Sequence, residues 1–484
     1  MNQVVIVGGG ISGLASAYFL EKRARESSGD SPDFSILLME ERQRTGGVIL
    51  SEYLDGCLLE GGPDSFLAQK PAAIELCREL GLADQLLPSN DNQRKTFILQ
   101  GGALKELPDG LLFMVPTKMW PIFRSNLFSL SGKIRLMVAP LLPVPQVQGD
   151  IAVADFISRR LGRQAFENLA EPLLAAVYGA DVGTLSTRAA LPQFLAMEEK
   201  YGSLWKGIRA ARRKVSIEKK ITKRSAASAG SIFVSLRDGV GQLTATLEKS
   251  LTRTRIVTGR KIEKICRAGA GSSFRVQWRD GETEASAVIL ATPAHAAGKM
   301  LGSLDGQLAE KLSGICYNST VTVSLGFEEA GFGRTLDGFG FVVARGEGKR
   351  MLACTWVSSK FPFRCPPGRV LLRCFLGGAR DPSINGENDN EIRRIVLREL
   401  GEIMSVRTEP IFTRIHRWER SMPQYNVGHL IRIQEIFAAL SSQPGLFLAG
   451  NAYRGVGIPD CINSASDAAS AAHRFLQSLV PVNT

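Results

Sequence analysis

Val4-Val5-Ile6-Val7-Gly8-Gly9-Gly10-Ile11-Ser12-Gly13-Leu14-Ala15-Ser16-Ala17-Tyr18-Phe19-Leu20 decides the fold. A short β-branched run leads straight into a glycine-rich turn and then an apolar helical stretch. Gly8, Gly10 and Gly13 fit G-x-G-x-x-G in the setting that motif requires. Gly8 permits the tight turn, Gly10 lets a pyrophosphate approach the backbone, and Gly13 allows close packing of helix on strand. A second strand, Phe34–Met39, ends on Glu40, followed by Glu41, where a ribose hydroxyl is expected. The interval from Gly13 to Glu40 exceeds the usual spacing of about 20 residues, and the polar stretch Arg23–Pro32 accounts for the excess as a loop. A lone glycine triplet can be a mere structural turn. Two strands and a terminal acid in register with it argue for a dinucleotide. Gly8, Gly9, Gly10, Ile11, Ser12 and Gly13 are the predicted contacts.

The other end of the chain carries a matching piece. Leu446-Phe447-Leu448-Ala449 reads as a buried strand, Gly450 to Gly457 as a glycine-rich loop, and the stretch from Ile458 through the alanine-rich Ser464–Ala472 as a helix. Such a loop brings backbone N–H groups close to a flat or anionic ligand, and the helix N-terminus favours negative charge. Gly450, Val456, Gly457 and Ile458 are therefore further cofactor candidates. Strand patterns at Ile256-Val257, Ile262–Ile265, Phe274–Trp278 and Ala287–Leu290 read as part of the same unit. The expected division is a discontinuous cofactor domain (1–90, 230–300 and 440–484), a substrate domain (91–109, 206–229 and 301–439) and a helical domain (110–205). The fold class is α/β in an α+β multi-domain arrangement: a Rossmann-like domain, a mixed-sheet substrate domain and a helical domain with a prospective membrane contact.

At 484 residues the chain is long enough for two or three domains. Hydrophobic content of 44% and mean hydropathy of +0.01 describe an ordinary globular protein. No apolar run reaches the roughly 20 residues of a spanning helix, and the direct entry into the first strand leaves no room for a secretory signal. The eight cysteines lack C-x-x-C pairs, so reduced thiols in a cytoplasmic protein are expected. His295, His416, His429 and His473 form no metal or triad pattern, and His429 reads as a structural hydrogen-bonding group. Net charge is +12, with a cluster running from Lys206 and Arg209 through Arg212, Arg213, Lys214, Lys219, Lys220 and Lys223 to Arg224. A solvated helix and loop is one reading of this cluster; a surface for acidic headgroups or an anionic substrate is the other. Without interleaved aromatics, nucleic acid is not expected. Leu111–Met114, Trp120–Phe123 and Leu136–Leu142 read as helix-packing core or as an apolar face against a bilayer surface.

A second glycine pair selects between cofactors. Glu40-x-x-x-Arg44-x-Gly46-Gly47 resembles the FAD pattern of the amine-oxidase-like flavoproteins, and Glu60-Gly61-Gly62-Pro63-Asp64 adds a glycine turn expected near the pyrophosphate and isoalloxazine. Further segments resemble the FAD-dependent protoporphyrinogen and coproporphyrinogen oxidases of haem biosynthesis along nearly the whole chain. They include Glu171-Pro172-Leu173 with Tyr178-Gly179-Ala180-Asp181, Gly338-Phe339-Gly340, and Trp356-Val357-Ser358-Ser359-Lys360-Phe361-Pro362. Phe375-Leu376-Gly377-Gly378, Pro423-Gln424-Tyr425 with Gly428-His429, and Tyr453 to Ile462 complete them.

That resemblance implies six-electron oxidation of a porphyrinogen to a porphyrin, with dioxygen reoxidising the flavin to give hydrogen peroxide. It implies non-covalent FAD, since Pro459-Asp460-Cys461-Ile462 does not match the covalent attachment motif. It places Ile262 as a backbone contact to adenine, Trp356 and Leu336 as apolar walls for the macrocycle, and Val321 and Val323 as weaker wall candidates. The chain departs from the family twice: Thr96 stands where many members have a propionate-binding arginine, leaving Arg94 and Lys95 as substitutes or as ordinary surface charges. Ala176 stands at a glycine position facing the flavin. An amine oxidase or carotenoid desaturase is the enzymatic alternative, and a flavin-free binding scaffold the non-enzymatic one. The substrate's identity within the family, monomer or homodimer, and peripheral attachment to the inner membrane face stay open.

Overall fold

A computed structural model describes residues 2–28, 34–112, 114–116, 118–142, 149–210, 231–269 and 273–479. Two sheets organise it. Their strands, in chain order, are β1 (Asn2–Val7), β2 (Phe34–Met39), β3 (Thr96–Gln100), β4 (Ala103–Glu106), β5 (Thr254–Val257) and β6 (Ala287–Leu290). Next come β7 (Tyr317–Glu328), β8 (Gly340–Val343), β9 (Met351–Trp356), β10 (Arg369–Gly377), β11 (Phe412–Pro423) and β12 (Leu446–Leu448). The helices that flank them include α1 (Ile11–Ser28), α2 (Met119–Arg124), α3 (Leu130–Val138), α4 (Glu171–Tyr178), α5 (Asp389–Met404) and α6 (Ile458–Leu479).

The first sheet has the order β5-β2-β1-β6-β12, and every pairing is parallel. Parallel strands are covered on both faces, which is why β1 and β6 read as unbroken apolar runs. Val4 and Ile6 pack with Leu14, Ala17, Ile462 and Ala469, so α1 and α6 share one face. Val5, Val7, Val288 and Leu290 turn to the other face, where Ile262, Ile265, Phe274 and Val276 of a small antiparallel sheet meet them.

The second sheet has the order β11-β7-β10-β9-β8-β3-β4 and is antiparallel except for the β3–β8 pair. Alternation along its strands divides two cores. Val321, Val323, Cys374, Leu376, Phe341 and Trp356 pack against Ile392, Ile395, Val396 and Leu400 of α5. Ile98, Val342 and Ala353 share the opposite core with Ile122, Leu136, Phe156 and Phe194 of the helical region, and Phe375 packs against it. Among the described residues, no helix is long and apolar enough to cross a membrane. Of the basic cluster, Lys206 and Arg209 are described, and Arg212 through Arg224 lie outside the described residues.

The expectation that all eight cysteines are reduced is overturned. Cys57 and Cys365 form a disulfide, while the other six cysteines are free. The two are 308 residues apart in sequence, so spacing held no signal of their meeting. They meet because the strand Cys57–Glu60 and the turn Pro362–Arg364 converge on the buried pair Glu60–Arg364. Alkylation of the denatured, unreduced protein should label six cysteines rather than eight. Replacing both Cys57 and Cys365 by Ser should lower unfolding stability by about 2–4 kcal/mol in a urea titration.

Candidate functional site

The glycine loop between β1 and α1 is closed on itself at three points and open at one. A Cβ at Gly8 would lie 2.7 Å from the Ala291 carbonyl oxygen, one at Gly9 would lie 3.0 Å from the Glu40 Cβ, and one at Gly13 would collide with the Gly8 carbonyl oxygen. At Gly10 the nearest atom would be 3.9 Å away, on Gly47. Gly10 therefore presents bare backbone on an open side, beside the helix N-terminus at Ile11 and Ser12. The turn carrying Gly46 and Gly47 is clipped to this loop by the Gly46 N–H, which donates to the Gly9 carbonyl at 2.8 Å. Arg44 braces that turn from within, donating to the carbonyls of Thr45 and Gly47 at 2.9 and 2.8 Å.

Glu40, at the end of β2, is buried, and its carboxylate accepts from the N–H groups of Gly9 at 2.6 Å and Arg42 at 2.9 Å. Each oxygen keeps a lone pair for a hydroxyl donor. Glu41 turns outward to Lys261 at 3.1 Å. Ile262 is buried two residues beyond Arg260, whose N–H donates to the Glu40 carbonyl at 2.9 Å, so the Ile262 and Glu40 candidates lie close together.

Gly450 is the second open position: a Cβ there would find nothing nearer than 4.0 Å. The loop from Gly450 to Gly457 is held by the Tyr425 hydroxyl, which donates to the Asn451 carbonyl at 2.5 Å and accepts the Gly455 N–H at 2.8 Å. The Tyr425 ring stacks on His429 at 4.1 Å, and burial lowers the His429 imidazole to about 4, so it is neutral and structural. At the start of α6, Asp460 accepts the Gly457 N–H at 3.2 Å and pairs with Lys70 at 2.6 Å. Ile458 enters the core shared with α1, and Val456 packs against the helical-region core.

The Glu60–Asp64 turn ties the two sheets together. The Gly61 carbonyl accepts from Thr322 at 2.9 Å, from the Trp418 indole at 2.8 Å and from Arg373 at 3.3 Å, and the Gly62 carbonyl accepts from Arg373. The Glu60 carboxylate is consumed internally by Arg364 at 2.6 Å, the Val240 N–H at 2.8 Å and the Ser51 hydroxyl at 2.5 Å. Glu60 thus shapes the turn and turns away from any ligand, against expectation. Burial would raise the Asp64 carboxyl, but Lys360 at 3.1 Å and then Arg373 outweigh it and hold the acid well below the usual carboxylate range. Pro63 lies half-buried between these two acids.

The expected substrate residues are not gathered in one place. Trp356 is 0% exposed, packs on Phe97 at 5.4 Å and faces α5, as do Val321, Val323 and the half-buried Leu336. Strand alternation puts Trp356, Val321 and Val323 on the sheet face opposite the one that meets the Gly61 turn, and Leu336, in the loop before β8, packs on the same core. Lys95 is held at the surface by Asp337 at 3.1 Å and Glu106 at 3.8 Å. Arg94 is exposed at the end of a short turn before β3. Ala176 lies half-buried on α4, whose first residue Glu171 pairs with Arg380. Thr292, Lys360, Arg364, Arg373 and Tyr425 carry no site signal in the sequence. Lys360 and Tyr425 stand inside segments read as family marks, and the arginines carry no local pattern.

FAD fits this frame. Gly10 and Gly450 offer bare backbone on open sides, Glu40 retains acceptor capacity, and the buried Thr292 hydroxyl beside Gly8 has no hydrogen-bond partner among the described residues. Bound there, the group would meet two helix N-termini, those of α1 and α6. Gly10→Ala should fold with an unchanged melting temperature for the apoprotein, yet hold FAD at least tenfold more weakly by fluorescence titration. Gly13→Ala should lose both, because its methyl group meets the protein's own backbone.

The comparisons with known proteins agree with this geometry. The model for flavin containing amine oxidoreductases matches residues 11–473. The coproporphyrinogen III oxidase of Bacillus subtilis is 37% identical over 479 residues, covering 99% of each chain. The chloroplastic protoporphyrinogen oxidase 1 of Arabidopsis thaliana is 29% identical, over 98% of this chain and 88% of its own. A crystal structure from Exiguobacterium sp. 255-15, provisionally assigned as a protoporphyrinogen oxidase, superposes with a TM-score of 0.85 at 32% identity, over 98% of this chain and 99% of its own. With its FAD-binding frame and these relatives, the chain belongs to the flavin containing amine oxidoreductase family.

Proposed function

We propose that this protein oxidises a porphyrinogen to the porphyrin in haem synthesis, with coproporphyrinogen III as the preferred macrocycle. The reading rests on one observation: likeness to a coproporphyrinogen III oxidase runs through 99% of both chains at 37% identity. FAD, bound without a covalent link, would accept the electron pair removed in each of three dehydrogenations and pass it to dioxygen, yielding hydrogen peroxide. The chain's own residues bind and orient. Residues 1–90, 230–300 and 440–484 form the cofactor domain, in which Gly10, Glu40, Gly47 and Gly450 receive FAD. Thr322, Arg373 and Trp418 fix the Gly61–Gly62 carbonyls, so the turn's position is set by the second sheet. Lys95 is committed to Asp337 and Glu106, which leaves Arg94 as the exposed cation for a propionate, and Ala176 sits beside the macrocycle.

Anaerobic addition of each porphyrinogen tests this directly. Coproporphyrinogen III should bleach the flavin absorbance, and admitting oxygen should restore it as porphyrin fluorescence grows. Protoporphyrinogen IX should bleach it more slowly. If neither porphyrinogen bleached a yellow preparation while an amine did, the amine-oxidase alternative would replace this reading.

We also propose that the helical region rests on an anionic bilayer surface. Trp120 and Phe123 of α2, Leu130, Ile134 and Met137 of α3, and the following Leu141 are all exposed, Leu141 by 84%. Arg124 lies 5.1 Å over the Trp120 ring and Lys133 lies 5.7 Å over Phe123, so cations border the apolar face. That combination suits shallow insertion beneath acidic headgroups. The protein should co-sediment with vesicles of equimolar phosphatidylglycerol and phosphatidylcholine, and Trp120→Glu with Leu141→Glu should abolish this. Equal sedimentation of parent and variant would remove the bilayer proposal.

A further inference from the structure

Four buried charges, Glu60, Lys360, Arg364 and Arg373, gather with the half-buried Asp64 at the Gly61–Asp64 turn. Glu60 and Arg364 pair at 2.6 Å, and Asp64 and Lys360 pair at 3.1 Å. Arg373 is 4% exposed and donates to the carbonyls of Gly61 and Gly62, and its buried Nε has no hydrogen-bond partner among the described residues. No carboxylate lies within ion-pair distance of it among the described residues. His416, packed against Gly61, lies 3.1 Å from the Glu52 carboxylate; burial, opposed by Glu52 and reinforced by Arg414 and Arg373, holds its imidazole below the ordinary value. Three cations therefore face two carboxylates. Lys360 is further enclosed by the Phe233 and Phe361 rings at 4.5 and 5.0 Å, so water does not dilute the imbalance.

An unmatched buried cation is costly to keep, and it acts strongly on charge that develops nearby. Arg373 is too enclosed to receive a substrate carboxylate, which leaves a field acting through the turn. We infer that this network places one net positive charge behind the Gly61–Asp64 turn, where it stabilises the negative charge that bound FAD acquires on reduction. Two electrons and one proton taken from the substrate leave the isoalloxazine with one negative charge. Sulfite imitates that change without a substrate, because its sulfur lone pair adds to the oxidised ring and leaves the same negative charge there. Arg373 and Lys360 are positioning residues in this account; neither touches the reacting atoms.

The test is sulfite affinity and midpoint potential of the FAD-loaded full-length protein. Lys360→Met, which removes one positive charge, should bind sulfite about tenfold more weakly and lower the potential by about 30 mV, the two-electron equivalent of a tenfold change. Lys360→Arg should stay within about twofold of the parent. Asp64→Asn, which adds net positive charge, should bind sulfite more tightly. Structural damage alone would not produce that opposite sign. If Lys360→Met fails to hold FAD, Asp64→Asn decides by itself. Parent-like affinity in either variant, or weaker binding in Asp64→Asn, would overturn the inference. It rests on the proposed flavin-linked oxidation, and since sulfite titration needs no porphyrinogen, a wrong substrate assignment leaves its outcome untouched.

Discussion

The buried pair of Glu60 and Arg364 is the constraint on which the rest of the molecule hangs. Arg364 reaches Glu60 at 2.6 Å, the Ser235 hydroxyl at 2.5 Å and the Asp64 carbonyl at 3.3 Å. Glu60 in turn takes the Val240 N–H and the Ser51 hydroxyl. Three distant stretches of chain, near residues 51–64, 235–240 and 360–365, are thereby held to one geometry. Removing two charges from water costs several kcal/mol per ion, recovered only when the remaining lone pairs and protons are satisfied. Here nearly all of them are, with the Arg364 Nε the exception. What the pair supplies is registration: it fixes the turn at Gly61 relative to both sheets.

Much of the cofactor frame is legible in the sequence because it is written locally. The run Val4–Val7, the Gly8–Gly13 turn and Glu40 specify strand, turn and acid within one stretch, and backbone geometry leaves little choice about the unit they build. The loop at Gly450–Gly457 is legible for the same reason. Glu60 misleads because its role depends on Arg364, a partner 304 residues away that no local pattern announces. The disulfide between Cys57 and Cys365 escapes in the same way.

The substrate walls fail differently. Trp356 and Leu336 are apolar residues in strand-forming country, and their types fit a wall as well as a core. For Trp356 the register of β9 and β10 decides, and it turns the ring toward α5, while Leu336 joins the same core from the loop before β8. A slip of one residue would exchange the two faces entirely. For Val321 and Val323, simple burial is the plainer reading, and both are fully buried. The apolar residues between 120 and 142 are ambiguous because amphipathic patterning fixes a stripe without saying what covers it.

The parallel order β5-β2-β1-β6-β12 also carries a timing consequence. The first strand is flanked by one that comes soon after it and by one near residue 288, and the edge strand comes from residues 446–448. At ribosomal speeds, roughly 20 to 90 seconds separate the emergence of the first strand from that of the last. During that interval the face that β1 and α1 share with α6 lacks that helix, while earlier elements such as residues 241–250 already pack on it. The glycine loop between β1 and α1 thus gains its second wall, from Gly450 and α6, long after its own strand and helix have emerged.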